Sequence, residues 1–211
     1  MHRFFDAFQL LGLAFFLIVF VGRTLYLWLS QGINPLALGV GKKGFSRFLE
    51  WIFFVGLALW IIEVLWHALR SFVPLPPAVD LPLFESPLAQ VIGAAVILAG
   101  LVVFVWALIS FGNSWRIGID KQTMGALVTT GLFAFSRNPI FLFVDLYFVG
   151  TFLLNGSLFF LVLALLVVPG LHYQILQEEK FLLRQYGQAY RDYCARTGRY
   201  FTLIPQPKGV L

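Results

Sequence analysis

The sequence predicts an all-α polytopic membrane protein, with five transmembrane helices followed by an amphipathic helix on the cytoplasmic face. Three observations carry that expectation. Of the 211 residues, 60% are hydrophobic and 12% charged, whereas a soluble domain averages about 45–50% apolar and about 25% charged. A single core of this size cannot hide so much apolar surface, and lipid is the other place to put it. Apolar segments recur at lengths near the roughly 20 residues that span a hydrocarbon layer of about 30 Å. Finally, five crossings place all of the 15 basic residues except Arg3 and Arg70 on one side. The positive-inside rule then sets the N-terminus outside and the C-terminus in the cytoplasm.

The first segment runs from about Phe8 to Leu29, with Arg23 near enough to its end to snorkel. It continues to Trp28 without a small-residue cleavage site, so it reads as a retained anchor rather than a signal peptide. The second, about Phe48 to Leu69, contains Glu50, Glu63 and His67; Glu63 and His67 are four apart on a helix and are expected to pair near its outer end. A loop rich in proline (Pro74, Pro76, Pro77, Pro82, Pro87) leads to the third, about Leu88 to Phe111, which carries no charge. The fourth and fifth, about Pro139 to Leu154 and Ser157 to Leu176, are separated by Asn155-Gly156-Ser157, a spacing that allows only a tight helical hairpin. Pro169-Gly170 is expected to break or kink the fifth near His172. From Gln177 to Tyr193, Phe181, Leu182, Tyr186, Tyr190 and Tyr193 recur at helical spacing among charges, as in an interfacial helix. No repeat or flexible linker divides the chain, which reads as a single domain over 1–211: three N-terminal helices over 1–112 and a distinct polar-edged region over 113–204.

Several function classes drop out. The positive charge of +5 is accounted for by topology, so nucleic acid is not an expected partner and the bilayer is. One cysteine, Cys194, forms no internal disulfide and provides no thiolate cluster, so no metal is expected.

Two places carry chemistry. Glu178 and Glu179 sit where the fifth segment meets the membrane surface, beside a leaflet that favours basic residues. Such a pair suits a cationic or hydroxyl-bearing ligand, although pairing with Lys180, Arg184 or Arg137 would also explain it. Ahead of the fourth segment, Ser136-Arg137-Asn138-Pro139 places a proline at a first helical turn; the free N–H groups there and Arg137 form a local anion site, or else Ser136 is a simple cap and Arg137 an anchor. Asp145, two turns further on, is costly to bury and is expected to face a cavity or a cation.

Together these features resemble the isoprenylcysteine carboxyl methyltransferase family, and more loosely the membrane phospholipid N-methyltransferases. The resemblance is carried by Leu127-Val128-Thr129-Thr130-Gly131, Phe133, Arg137-Asn138-Pro139 and Phe141. After the hairpin it continues with Glu178-Glu179, Leu182, Tyr186-Gly187, Tyr190 and Tyr193. It covers about Leu127 to Ile204. It implies an S-adenosylmethionine-dependent membrane enzyme whose lipophilic or lipidated acceptor enters from the bilayer. By the same resemblance Gly131 and Phe133 line a cofactor pocket and Arg137, Asn138 and Pro139 shape its wall. Glu178 and Glu179 hold polar groups of the cofactor, His172 borders it, and Tyr190 and Tyr193 cover it. Arg137 or Arg184 would orient an acceptor carboxylate.

The departures from the pattern bear on the acceptor. Asn138 replaces the family's usual histidine, Phe133 and Phe141 replace tyrosines, Phe143 replaces a glycine, and Gly125 or Ala126 stands where a polar residue is usual. Without an imidazole at 138, the expected acceptor arrives unprotonated, as a carboxylate or thiolate. Methylation of a phospholipid headgroup amine is the alternative enzymatic reading. A non-catalytic scaffold or transporter, or a reductase binding a nicotinamide, are rivals of another class.

Overall fold

The computed structural model describes residues 2–31, 45–69, 81–112 and 127–203. Expectations resting on Lys42, Lys43, Arg70, Pro74, Pro76, Pro77, Arg116, Lys121, Gly125, Ala126 and Lys208 fall outside these residues. The described residues form helices α1 (His2–Gln31), α2 (Phe45–Leu69), α3 (Pro87–Phe111), α4 (Pro139–Asn155), α5 (Leu158–Tyr186) and α6 (Gln188–Arg196), with a single 3-10 turn at Gly131–Ala134. No strand occurs among them.

Three of these helices are long and apolar enough to cross a membrane: α1 over Phe4–Ser30, α3 and α5. The described apolar part of α2, Val55–His67, and α4 are shorter. At 1.5 Å per residue the 17 residues of α4 extend about 25 Å, less than the hydrocarbon thickness. The outer surface is what lipid requires. Leu11, Ile18, Val102, Ile109, Leu165 and Leu166 are all exposed, an arrangement that water would penalise and acyl chains do not.

Successive helices run in alternating directions. Gln9 near the start of α1 exchanges two side-chain hydrogen bonds with Asn155 at the end of α4 (3.1 and 2.8 Å). Arg23, towards the other end of α1, donates to the carbonyl of Gly112 just past α3. The bundle therefore has a hairpin end, marked by Asn155-Gly156-Ser157, and an opposite end where α1, α3 and α5 finish and α4 begins. Backbone bonds from Leu83 N to Gly156 O (2.7 Å) and Leu158 N to Leu81 O (2.9 Å) lay the 81–84 segment against the hairpin turn. Ser86 caps α3 by accepting from Ala89 N, with Pro87 in the first turn.

Small residues set the closest helix approach. A Cβ on Gly93 of α3 would stand 2.7 Å from the carbonyl oxygen of Gly150 in α4, and one on Gly150 2.9 Å from the carbonyl oxygen of Gly93. Without a hydrophobic drive between helices in lipid, such backbone contact supplies the packing energy. One heptad along α3, Gly100 faces Phe143, which is buried and stacks on Phe104 at 4.7 Å. The residue standing where the family pattern has glycine thus fills a core position, with the small residue on the facing helix. Trp60 of α2 joins this core edge-on to Tyr147 (5.2 Å).

Two local expectations change. The 177–193 stretch is two helices instead of one: α5 continues through Glu178 and Glu179 to Tyr186, and Gly187, at φ 53°, ends it and starts α6. Only glycine adopts that backbone cheaply. At Pro169-Gly170 the helix is unbroken, and both residues are exposed on its surface. Glu63 and His67 do pair, at 3.4 Å and buried, near the hairpin end.

Candidate functional site

The chain beyond α6 builds the site. Residues 197–203 fold back as a strap across the turn that precedes α4. Arg137 N donates to Gly198 O (3.1 Å) and Thr202 N to Phe135 O (2.7 Å), while Thr197 Oγ1 donates to Ala134 O (3.3 Å). From beneath, Ser110 of α3 accepts from Leu132 N at 2.9 Å. Gly131, at φ 63°, lies so close to the Ser110 side chain that a Cβ would collide with it. The turn is therefore held from both sides, which fixes where Arg137 and Asn138 emerge.

They emerge onto Glu179. Arg137 Nη2 lies 3.0 Å from Glu179 Oε1. Arg199, carried by the strap, grips the same carboxylate with Nη2 at 2.8 Å and Nε at 3.1 Å from both oxygens. Asn138 Nδ2 donates to Arg199 O at 3.1 Å and reaches Glu179 Oε1 at 3.5 Å. The amide in place of a histidine is thus a clip between strap and carboxylate. One carboxylate serves two guanidiniums and an amide, and the side chains of Arg137 and Glu179 retain only 11% and 12% exposure. Bonding to Glu179 raises the Arg199 guanidinium further above its ordinary range, so it stays charged.

An aromatic wall adjoins this cluster. Phe133, Tyr190 and Tyr193 form one buried group, in which Tyr193 Oη donates to Phe133 O at 2.7 Å. Phe111 meets Phe133 edge-on at 4.4 Å. Burial raises both tyrosine hydroxyls above their usual range; for Tyr190 the Cys194 and Glu179 charges add to it, and for both Arg137 opposes it.

Two turns deeper lies a second polar level. His172 is seven residues before Glu179, on the same face of α5 and about 10 Å further along it. Its Nδ1 is 2.6 Å from Tyr200 Oη and the rings stack at 5.9 Å. Asp145 is seven residues after Asn138 on α4, and its Oδ1 is buried without a hydrogen-bond partner among the described residues.

Of the residues singled out from sequence, Arg137, Asn138 and Glu179 meet directly. Phe133, Tyr190 and Tyr193 form the adjoining wall. Gly131 shapes the turn, and Pro139 is the buried first residue of α4. Glu178 is half-buried next to Glu179, whereas Arg184 is exposed on α5 and makes no ion pair with the cluster among the described residues. Sequence reasoning missed Arg199, Tyr200 and Ser110. By sequence Arg199 reads only as one of the basic residues of the cytoplasmic side; its place just after the glycine of Thr197-Gly198, within the stretch of resemblance, is the available signal.

Residues 88–189 match the family model described as Phospholipid methyltransferase. Over that stretch the chain is similar to this family. It takes in α3, α4, α5 and the start of α6, with Arg137, Asn138, Glu178 and Glu179 inside it. The strap with Arg199 and Tyr200 lies beyond it. No curated protein matches the chain. The family indicates a methyltransferase, and the long apolar helices associate it with the lipid bilayer.

Proposed function

We propose that this protein is a single-domain, five-crossing enzyme that transfers a methyl group from S-adenosylmethionine to a lipophilic acceptor. The observation that carries this reading is the convergence on Glu179 of Arg137, Asn138 and Arg199 beside the Phe133–Tyr190–Tyr193 wall. The donor set fits the cofactor. Arg137 Nε is buried without a hydrogen-bond partner among the described residues, which suits a ligand bearing a carboxylate. Tyrosine faces suit a sulfonium, and Glu178 and Glu179 suit an ammonium and ribose hydroxyls. In this reading Gly131, Phe133, Arg137, Asn138, Pro139, His172, Glu178, Glu179, Tyr190 and Tyr193 surround the cofactor, and Arg137 or Arg184 orients the acceptor.

When bound, S-adenosylmethionine supplies an electrophilic methyl group. The chain's own contribution is alignment and exclusion of water. Arg137 would hold the carboxylate end, the tyrosines would cover the sulfonium, and the strap holds the wall in register through Arg199. An acceptor arriving as a carboxylate or thiolate needs no further help. A phospholipid headgroup amine is the second reading, favoured by the family description over residues 88–189.

Five crossings, with the N-terminus outside and the site on the cytoplasmic face, accord with the alternating helix directions. They also accord with the placement of Arg23, Arg137, Lys180, Arg184, Arg191, Arg196 and Arg199 towards the site end. Calorimetric titration of the detergent-purified protein with S-adenosylmethionine and its demethylated product, with NADPH as control, tests the reading. Micromolar binding of both sulfur ligands, lost when Glu178 and Glu179 are changed together, is expected. Binding of NADPH alone would replace it with the reductase reading.

A further inference from the structure

The deeper polar level lies about two helical turns from Glu179, and its three members come from three separate elements. Asp145 comes from α4, His172 from α5 and Tyr200 from the strap. The Tyr200 hydroxyl is bonded to His172 Nδ1 at 2.6 Å, and the parallel rings (20°, 5.9 Å) hold that contact in place. Asp145 is close enough for its charge to act on Tyr200. Its buried Oδ1 has no hydrogen-bond partner among the described residues, an arrangement that costs free energy unless a donor reaches it.

We propose that Asp145, Tyr200 and His172 form a proton relay for the methyl acceptor, so that the acceptor is a nucleophile arriving with its proton, such as a thiol, instead of a carboxylate. This rests on the methyltransferase reading above and narrows its acceptor. The unpartnered Oδ1 of Asp145 suits an acceptor that brings an S–H, O–H or N–H donor to this depth. As the acceptor's heteroatom bonds to the methyl carbon, its proton passes to Tyr200 Oη and the tyrosine's own proton passes to His172 Nδ1. The electron pair of the broken carbon–sulfur bond stays on sulfur. The imidazolium that results then releases its proton to water.

The groups facing this relay agree with such a role. The charged groups that act on Tyr200 are Glu179 of α5, Asp145 of α4 and Arg199 of the strap. Burial first, then Asp145 and Glu179, hold the Tyr200 hydroxyl above its usual range, with Arg199 opposing. Tyr200 therefore passes a proton through as a neutral hydroxyl and does not rest as an anion.

The test uses the full chain in lipid nanodiscs with radiolabelled S-adenosylmethionine and three acceptors of one tail length: N-decanoylcysteamine, decylamine and decanoic acid. Calorimetry first establishes cofactor binding for the parent and for Tyr200→Phe, with affinities expected within about twofold; absence of binding in the parent removes the methyltransferase reading and the relay with it. Transfer to the thiol or amine in preference to decanoate is expected. Tyr200→Phe should slow transfer to the thiol roughly 10²-fold at pH 7. The deficit should shrink to a few-fold at about pH 9.5, above the usual thiol range near 8.5, where the acceptor ionises unaided. Asp145→Asn should reproduce the pH-7 defect in part. A merely structural tyrosine would cost the same at both pH values. That result, transfer to decanoate alone, or transfer to none of the three with cofactor bound overturns the relay.

Discussion

Replacing Glu179 with glutamine removes one charge and keeps the shape, so its consequences follow from the three partners on that carboxylate. Arg137 Nη2 at 3.0 Å is the better buried contact, with 11% of its side chain exposed; Arg199, 35% exposed, is partly screened. A hydrogen bond to a charged group contributes about 1.5–3 kcal/mol, and an exposed ion pair about 0–1 kcal/mol. Glutamine keeps one acceptor oxygen, so a loss of about 2 kcal/mol is expected, concentrated where the strap meets the turn. Backbone hydrogen exchange should quicken about 30-fold at Arg137 N and Thr202 N, which bond to Gly198 O and Phe135 O. Exchange within α3 should stay unchanged. The affinity for S-adenosylmethionine should fall at least several-fold while the helical circular dichroism is preserved. A double-mutant cycle with Arg199→Ala should then show coupling of about 1 kcal/mol. Unchanged strap exchange together with unchanged affinity would refute the reasoning and remove the acidic position from the site.

The hairpin end and the helix contacts allow independent checks. Gly93→Leu should lower stability by about 1–3 kcal/mol in thermal unfolding in detergent, because a Cβ there already meets Gly150 O at 2.7 Å; Gly22→Leu, with nothing within 4 Å, should be nearly neutral. Asn155→Leu leaves Gln9 buried without its partner and should cost about 1–3 kcal/mol in the same assay, part of which Gln9→Leu in the same chain should restore. At high pH the raised hydroxyls of Tyr190 and Tyr193 give a defined sign. Their stabilisation is fully present below the ordinary tyrosine value of 10.0. It is lost as pH rises above that value, since the unfolded chain ionises where the folded one does not. Tyrosinate absorbance should therefore appear together with loss of α6 protection, and Tyr193→Phe should shrink the alkaline dependence.

The sequence by itself determined the helical class, the placement of α3 and α4 and the hairpin at Asn155-Gly156-Ser157, whereas α1 begins ahead of Phe8 and α5 runs on well past Leu176. These rest on local chemistry: apolar runs of spanning length, a proline in a first turn, and motif spacing along a single helix. It also identified Arg137, Asn138 and Glu179 as worth bringing together, although they are some forty residues apart. Tertiary structure alone decided how they meet. Arg199 read as one more positive-inside charge because nothing local distinguishes an arginine that snorkels from one that turns back onto a buried carboxylate. That choice is made by the strap's backbone bonds to Phe135 and Arg137. The same holds for Phe143, whose neighbour Gly100 lies on another helix, and for His172 and Asp145, which line the deep level only because antiparallel α4 and α5 put positions seven residues from Asn138 and from Glu179 at the same depth. Periodicity fixes which side of its own helix a residue occupies; which side of the next helix it faces depends on contacts between segments, and those are set by packing.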